Sequence, residues 1–341
     1  MKIGLTYDLI SDYLSQGFGE EDAAEFDRPE TIQGIERALR SLGYETDRIG
    51  TVRSLIKRLA SGDRWDMVFN IAEGVKGFGR EAQVPALLDV YNIPYTFSDP
   101  MVLALTLHKG MTKHVIRDMS IATPDFCVVE DLHDLEHITI PFPLFAKPVA
   151  EGTGKGINSA SKIETKEELS SVCRKLLISY DQPVLLEAFL PGREFTVGIT
   201  GTGKKAVVLG IMEVRLQEEA EPEVYSYSNK KEFENRIKYA LVHDEEARSA
   251  AKVALDAWRC LGCRDGGRVD IRSDKNGIPH FLEVNPLAGL NPEISDLPIL
   301  CRLAGIIYTE LISRIMESAM ERAFPPASIQ KGRVFPAGFS S

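Results

Sequence analysis

Three segments of this 341-residue chain place lysines, glycines, carboxylates and an arginine at spacings that can do chemistry. The first is FAKPVAEGTGKGI, residues 145–157. A strand delivers Lys147, and Gly152, Gly154 and Gly156 then let backbone N–H groups approach a phosphate closely. Lys155 adds a second positive charge. The loop does not end in GK[ST], so it is not a Walker A loop, and alone it resembles any glycine-rich hairpin with a solvated lysine. The second segment is VLLEAFLPGREFTVGI, residues 184–199. Its apolar run ends in Glu187, passes a hinge to Leu190, and reaches Glu194 before another strand. A carboxylate or carbonyl at such a hinge can accept the amino group of adenine, and a second carboxylate can hold both ribose hydroxyls. Two solvated acids flanking a turn at Pro191 and Gly192 are the plainer alternative.

The third segment is RVDIRSDKNGIPHFLEVNPLAGL, residues 268–290, which reads as a β-hairpin turning near 275–277. Asp270 stands on one strand, Glu283 and Asn285 on the other. Side chains two apart on a strand share a face, so Glu283 joins Asn285, with Leu282 and Val284 expected toward the core. Three oxygen ligands converging from paired strands suit a hard cation such as Mg²⁺. Arg268, two before Asp270, shares that polar face and brings a guanidinium suited to phosphate.

The elements that position these segments alternate between strands and helices, which predicts an α/β protein with helices packed on sheets. Strands are expected at 2–7, 44–49, 67–71 and 93–96, with helices at 30–42 and 81–91. This is a Rossmann-like first layer over residues 1–100, although no GxGxxG follows its first strand and no dinucleotide is indicated. A second unit, 101–180, contains a helix at 109–119, strands at 126–129 and 143–146, and a helix at 166–179. A third, 181–325, contains strands at 184–188, 194–200, 205–214, 268–273 and 280–284, a helix at 250–261, and one long helix at 300–321. Residues 326–341 carry prolines, glycines and small polar residues and are expected to form a flexible tail.

Composition narrows the class. Hydrophobic residues make up 44% and charged residues 26%, ordinary for a soluble globular protein. No apolar run approaches a membrane span, and the amino terminus lacks the features of a secretory signal, so a cytoplasmic location is expected. The formal charge of −10 argues against a nucleic-acid binder, while a nucleotide needs only a few local cations. The five cysteines are odd in number and irregularly spaced, and Cys260 and Cys263 lack the further ligands of a zinc site. They read as buried small residues.

The order lysine, phosphate loop, adenine hinge, metal hairpin is that of an ATP-grasp enzyme. From about residue 67 to 300 the chain resembles the D-alanine–D-alanine ligase family, including VFNIAEGVKGFGREAQVPALLDVYNIPYT and LALTLHKGMTKHVI. The resemblance implies an ATP-grasp fold, with a Rossmann-like N-terminal domain followed by central and C-terminal ATP-grasp domains. It implies that Lys109 and Lys147 hold ATP phosphates, together with the loop residues Glu151, Gly152 and Gly154. Glu187 and the Leu190 backbone would hold adenine, Glu194 ribose, and Lys230 a phosphate from a lid within residues 219–236. Asp270, Glu283 and Asn285 would bind two Mg²⁺ ions, for which Mn²⁺ can substitute. Arg268 and the backbone N–H of Gly289 would stabilise an oxyanion, and Thr153 would supply a hydroxyl.

The implied reaction joins a carboxylate to an amine through an acyl phosphate, with amino acids or small peptides as substrates. The resemblance also implies a homodimer. The chain departs from the family mainly where substrates are chosen. The loop reads EGTGKG where EGSSVG is common, and Lys231 follows Lys230 where a tyrosine is usual. The family's GGxSxExxVS stretch has no clear match, leaving Glu25 as candidate for the acid that binds the first substrate's ammonium. LHGxxGEDG becomes IAEGVKGFGREAQ, with Glu81 as the retained acid, and Ser295 is the candidate ligand for the second substrate's carboxylate. Two other readings remain: a true D-alanine–D-alanine ligase, and an ATP-binding regulatory protein without catalysis.

Overall fold

The computed structural model describes residues 1–217 and 236–325. The expected lid, with Lys230 and Lys231, and the expected tail at 326–341 lie outside the described residues.

The chain begins with a parallel sheet of β1 (Lys2–Thr6), β2 (Glu45–Gly50) and β3 (Met67–Asn70), in the order β2-β1-β3. Every residue of β3 is buried, as parallel strands covered on both faces require. The expected strand at 93–96 is reduced to one bridge, between Val68 and Tyr95. The helices of this part are α1 (Ile10–Ser15), α2 (Pro29–Ser41), α3 (Val52–Ala60) and α4 (Gln83–Val90). Helix α2 starts on Pro29 at its first position and buries Ile32, Ile35, Ala38 and Leu39 at helical spacing. Two further helices follow, α5 (Pro100–Leu107) and α6 (Lys109–Asp118). Asp99 caps the first through Val102 N–H at 3.0 Å.

The next sheet is antiparallel and has the order β4-β7-β5-β6, from β4 (Phe126–Val129), β5 (Leu144–Pro148), β6 (Lys162–Ile163) and β7 (Val184–Ala188). Helix α7 (Lys166–Tyr180) covers it, placing Leu169, Cys173 and Leu176 against Leu144, Ala146 and Leu186. Its start is a capping box between Thr165 and Glu168.

The last sheet is antiparallel in the order β10-β9-β8-β11-β12. Its strands are β8 (Glu194–Thr200), β9 (Val207–Leu216), β10 (Ile237–Leu241), β11 (Gly266–Ser273) and β12 (Pro279–Asn285). One face is covered by α8 (Glu245–Cys260), whose buried Ala247, Ala250, Ala254 and Ala257 let helix and sheet approach closely. The chain then forms α9 (Asp296–Leu303) and α10 (Tyr308–Ala323), not the single helix expected at 300–321. Gly305, at φ 79°, takes the left-handed conformation that ends α9, and Ile306 N–H closes the turn on Cys301 O at 2.8 Å. Leu297 and Leu300 of α9, with Leu311, Ile312, Ile315 and Met316 of α10, share one core with Ile3 and Phe69 of the first sheet and Ile35 and Leu39 of α2. Cys263 is buried and Cys260 partly so, and all five cysteines are free thiols, which agrees with their reading as packing residues.

Candidate active site

Two cavities lie against these sheets and meet at Lys109, Glu151 and Glu283, which line both. The first runs between β5, β7 and the β11–β12 hairpin, walled by Phe145, Lys147, Glu187, Leu190, Glu194 and Asp270 among others. The second opens toward the N-terminal loops and is lined by Glu25, Glu73, Glu81, Thr153, Arg268 and Gly289 among others.

Strand register builds the first cavity. Phe145 of β5 pairs with Glu187 of β7, and Lys147 with Leu185, so these side chains emerge on one face. The Lys147 ammonium lies 2.9 Å from Glu187 Oε1. A second lysine completes the group: Lys113 Nζ lies 2.8 Å from Glu187 Oε2 and donates to Thr123 Oγ1 at 2.8 Å. Lys113 is 0% exposed. Burial pushes its pKa down, to about 8, against the attraction of Glu187. Burial alone would raise Glu187, but the two ammonium groups outweigh it and hold the carboxyl below its ordinary range. Lys113 had no role in the sequence reading. The available signal was its position one turn after Lys109 on the same face of α6.

Farther along this cleft, Arg272 Nη1 donates to Glu194 Oε2 at 3.2 Å. The same guanidinium lies over the Phe189 ring, 5.1 Å from its centroid, making a flat apolar and cationic wall. The hinge between β7 and β8 depends on Gly192, where a Cβ would lie 2.5 Å from the carbonyl oxygen of Ser273. A side chain there would push the hinge off the tip of the hairpin.

The hairpin converges as the spacing predicts, with one exception. Asp270 pairs directly with Glu283 and Arg268 with Asn285, so four polar side chains face one way. Thr196 Oγ1 donates to Asp270 Oδ1 at 2.9 Å, and Arg268 donates to its other oxygen. The exception is Leu282. Asp270 faces Glu283 while Ile271 faces Phe281, so Leu282 is the extra residue of a β-bulge and lines the cleft instead of the core. Among the described residues no group of three or more His, Cys, Asp or Glu side chains is arranged to hold a metal by itself. Two carboxylates and an amide nevertheless fit a Mg²⁺ ion that takes its remaining ligands from phosphates and water.

The glycine loop seals the junction between the cavities. Gly154 and Gly156 take φ 77° and 73°, and a Cβ on Gly156 would lie 2.5 Å from the Pro148 ring. Thr153 also takes positive φ, 50°, a strained conformation for a β-branched residue, and its buried hydroxyl has no partner. Lys109 Nζ donates to Glu151 O at 2.5 Å and lies 3.6 Å from Glu283 Oε2. Lys155, free to serve a phosphate in the sequence reading, pairs with Glu151 and lies 3.5 Å from Glu25.

In the second cavity Glu25 is engaged on both oxygens. It accepts from Arg80 Nη2 at 2.6 Å and from the Gly152 N–H at 2.5 Å. Arg80, also unseen in the sequence, reaches on to Ala150 O at 3.0 Å. Glu81 is 9% exposed, and burial pushes its pKa up to about 7. Glu73, another residue without a sequence signal, is raised as well, by burial and then by the charge of Glu81. At the far wall Gly289 packs on Ser295, where a Cβ would lie 2.8 Å from its Oγ. That oxygen accepts from Asn291 N–H at 3.0 Å. All described candidates except Ser295 thus line one or other cavity, and Ser295 stands directly behind Gly289.

Comparison with known proteins agrees with this architecture. Residues 115–317 match the family model described as D-ala D-ala ligase C-terminus. The chain is 32% identical over 286 residues to a D-alanine–D-alanine ligase from Thermotoga petrophila, covering 84% of this chain and 90% of that protein. It is 31% identical over 302 residues to one from Bordetella petrii, covering 86% and 88%. The crystal structure of the D-alanine–D-alanine ligase from Bacillus anthracis complexed with ATP superposes with a TM-score of 0.70 at 23% identity, over 95% of this chain and 98% of that one. The chain therefore has the ATP-grasp fold and belongs to the D-alanine–D-alanine ligase family.

Proposed function

We propose that the protein is an ATP-dependent, ADP-forming ligase that joins the carboxylate of one amino acid or peptide-like substrate to the amine of another. The observation that carries this reading is the meeting of two cavities at Lys109, Glu151 and Glu283. A triphosphate in the first cavity points its terminal group toward an acid in the second.

In this reading adenine lies by Leu190 and the Phe189 ring, and Glu194 receives the ribose hydroxyls. Lys109 and Lys147 meet the phosphates, and Glu187, held between Lys113 and Lys147, fixes the second of them. Asp270, Glu283 and Asn285 are the residues that would hold Mg²⁺. When bound, it neutralises charge on the transferring phosphoryl group. The substrate carboxylate attacks the γ-phosphorus, ADP leaves, and an acyl phosphate forms. The second substrate's amine then attacks the acyl carbon, phosphate leaves, and the nitrogen loses its proton. In this reading Arg268 and the Gly289 N–H stabilise the oxyanion of that step and the unpartnered Thr153 hydroxyl offers a further donor, a role supported by all three lining the second cavity. Acyl phosphates hydrolyse readily, so the strained glycine loop has a second task, to exclude water.

The relatives' names favour one narrower reading, in which both substrates are D-alanine. The altered donor cavity favours a specialised pair. ADP and phosphate release measured with D-alanine and with a panel of L- and D-amino acids separates them. Turnover with D-alanine alone excludes the specialised pair, and no amino-acid-stimulated ADP formation anywhere in the panel excludes the ligase itself. A homodimer rests on the family likeness, and light scattering on the purified protein tests it.

A further inference from the structure

The strand row that carries Arg268 also seats a helix. Arg268 of β11 pairs with Gly198 of β8, and Gly198 with Gly210 of β9, so the three positions lie side by side on one face of the C-terminal sheet. Helix α8 packs on the opposite face, against Val197 and Val269. On the Arg268 face the two glycines form a notch, and α9 sits in it. A Cβ on Gly198 would lie 2.9 Å from Leu300 Cδ2 and 3.1 Å from Leu297 Cδ1, and one on Gly210 would lie 3.1 Å from Leu300 Cδ2. Side chains at these positions would lift the helix off the sheet.

The notch brings Asp296, the first residue of α9, up to Arg268. Its Oδ2 lies 3.9 Å from Arg268 Nε, and its Oδ1 accepts from Tyr239 Oη at 3.2 Å. The guanidinium is therefore flanked by two carboxylates, Asp270 at Nη1 and Asp296 at Nε, while Nη2 makes no hydrogen bond among the described residues. The two partners differ. Asp270 belongs to the hairpin set that would hold Mg²⁺, so a metal competes with Arg268 for its oxygens. Asp296 stands on a separate element, outside that set. The residue before it, Ser295, lies directly behind Gly289. One step of chain at the start of α9 thus backs both groups assigned to the oxyanion.

We propose that Asp296 is a positioning residue, which holds the Nε edge of Arg268 from α9 and keeps the guanidinium in place when a metal draws on Asp270. This rests on the ligase reading and deepens it, because it confines the effect of Asp296 to amide formation, the step in which Arg268 meets the oxyanion. A separation of 3.9 Å is beyond hydrogen-bond reach, so Asp296 acts through its charge. Asp296→Asn, which keeps the shape and removes the charge, is the discriminating change.

Two measurements on the full-length protein test this. The first needs no substrate: magnetic resonance of ¹⁵N-labelled arginine side chains, with the Arg268 signal assigned by its loss in Arg268→Lys. Exchange of its Nε proton with water should speed up about fivefold or more in Asp296→Asn, and the difference should widen when ADP and Mg²⁺ are added. The second uses D-alanine at both positions and the best substrate pair from the amino-acid panel. Asp296→Asn should lower kcat for the amide product about tenfold and leave the KM for ATP within about twofold. Acid-dependent scrambling of ¹⁸O out of the β,γ-bridge of ATP, which reports phosphoryl transfer alone, should also stay within about twofold. Asp296→Glu, which keeps the charge, should recover part of both kcat and the slow exchange. Tyr239→Phe, which removes one hydrogen bond from Asp296 and leaves its charge, should fall between wild type and Asp296→Asn. Unchanged Nε exchange in Asp296→Asn overturns the proposal, as does an undiminished kcat or a scrambling rate that falls as far as amide formation. Failure of the ligase reading is seen separately, as absence of acid-stimulated ADP formation by the unaltered protein, and the exchange measurement then still decides whether Asp296 holds Arg268.

Discussion

The two cavities share a boundary, but they are assembled in different ways. The first cavity, the proposed nucleotide cleft, takes most of its charged side chains from strands and one helix face. Lys147 and Glu187 come from register partners on β5 and β7, Asp270 and Glu283 from a hairpin, and Lys109 and Lys113 from successive turns of α6. Its charges compensate one another locally, and its geometry follows from the periods of strand and helix. The second cavity shares the hairpin and the ends of α5 and α6, but adds Glu25, Glu73, Arg80, Glu81 and the glycine loop, which come from segments outside strands and helices. In the proposed reading, regular elements position most of the residues that meet the nucleotide, while loop residues supply the charges that meet the substrate.

The sharpest way to break this comparison is at the shared boundary. Glu283→Gln should lower the rate of ADP formation by about 100-fold or more, because in the proposed reading Glu283 would hold the metal, and it lies beside Lys109 and Lys147. Its fold should persist, since the side chain is partly exposed to the cavities. Unchanged activity would remove the hairpin from the mechanism. Next in size is Lys113→Met, which leaves Glu187 buried with one partner instead of two. Breaking a buried pair of this kind destabilises by about 3–5 kcal/mol, to be read by urea unfolding, and the KM for ATP should rise with it. Lys113→Arg should recover part of both. A stability loss under about 1 kcal/mol would show that the triad contributes little.

A smaller effect is expected from pH, and it separates the two cavities again. Glu81 is ionised in the unfolded chain above its ordinary value of 4.5, but in the folded protein only above about 7. Over that window the folded state holds the extra proton, so stability contributed by Glu81 falls as pH rises from about 4.5 to 7 and is level above. Glu81→Gln should flatten this slope in chemical denaturation series run from pH 5 to about 8. Glu187, held low, should add no slope in that range. An unchanged slope in the variant would place the proton elsewhere. The smallest change should come from Arg193→Ala, just before β8 in the C-terminal sheet. Arg193 meets the buried Glu213 and the more exposed Asp244 and Glu246, and because the guanidinium itself keeps contact with solvent the loss should be about 1 kcal/mol. A larger loss in thermal unfolding would mark that network as structural.

Legibility in the sequence follows the same division. Strands at 126–129, 184–188 and 194–200 lie where alternation and composition put them, because both faces of these strands have defined environments. Asp270, Glu283 and Asn285 converge as a two-residue period requires. Leu282 does not face the core, since a bulge depends on the partner strand and leaves no mark in one strand's own pattern. Lys113 reads as a solvated helix lysine until α6 is packed against β12, where Phe281 O lies 3.3 Å from its ammonium. Glu73 and Arg80 come from a loop without period, and their neighbour Glu25 stands far away in sequence. Gly305 was a stop signal present inside the span read as one helix, outweighed there by the apolar run around it.

The core shared by the first sheet and α10 has a consequence during synthesis. Ile3, Ile35 and Leu39 leave the ribosome early, but Ile312, Ile315 and Met316, which cover them, are among the last described residues to emerge. At about 5–20 residues per second α2 waits on the order of tens of seconds for its partner. Through that interval the nascent amino-terminal part presents an apolar face with nothing of its own to cover it. Translation speed and chaperone supply therefore bear on the yield of this enzyme, and a chain shortened before α10 would carry that exposed face permanently.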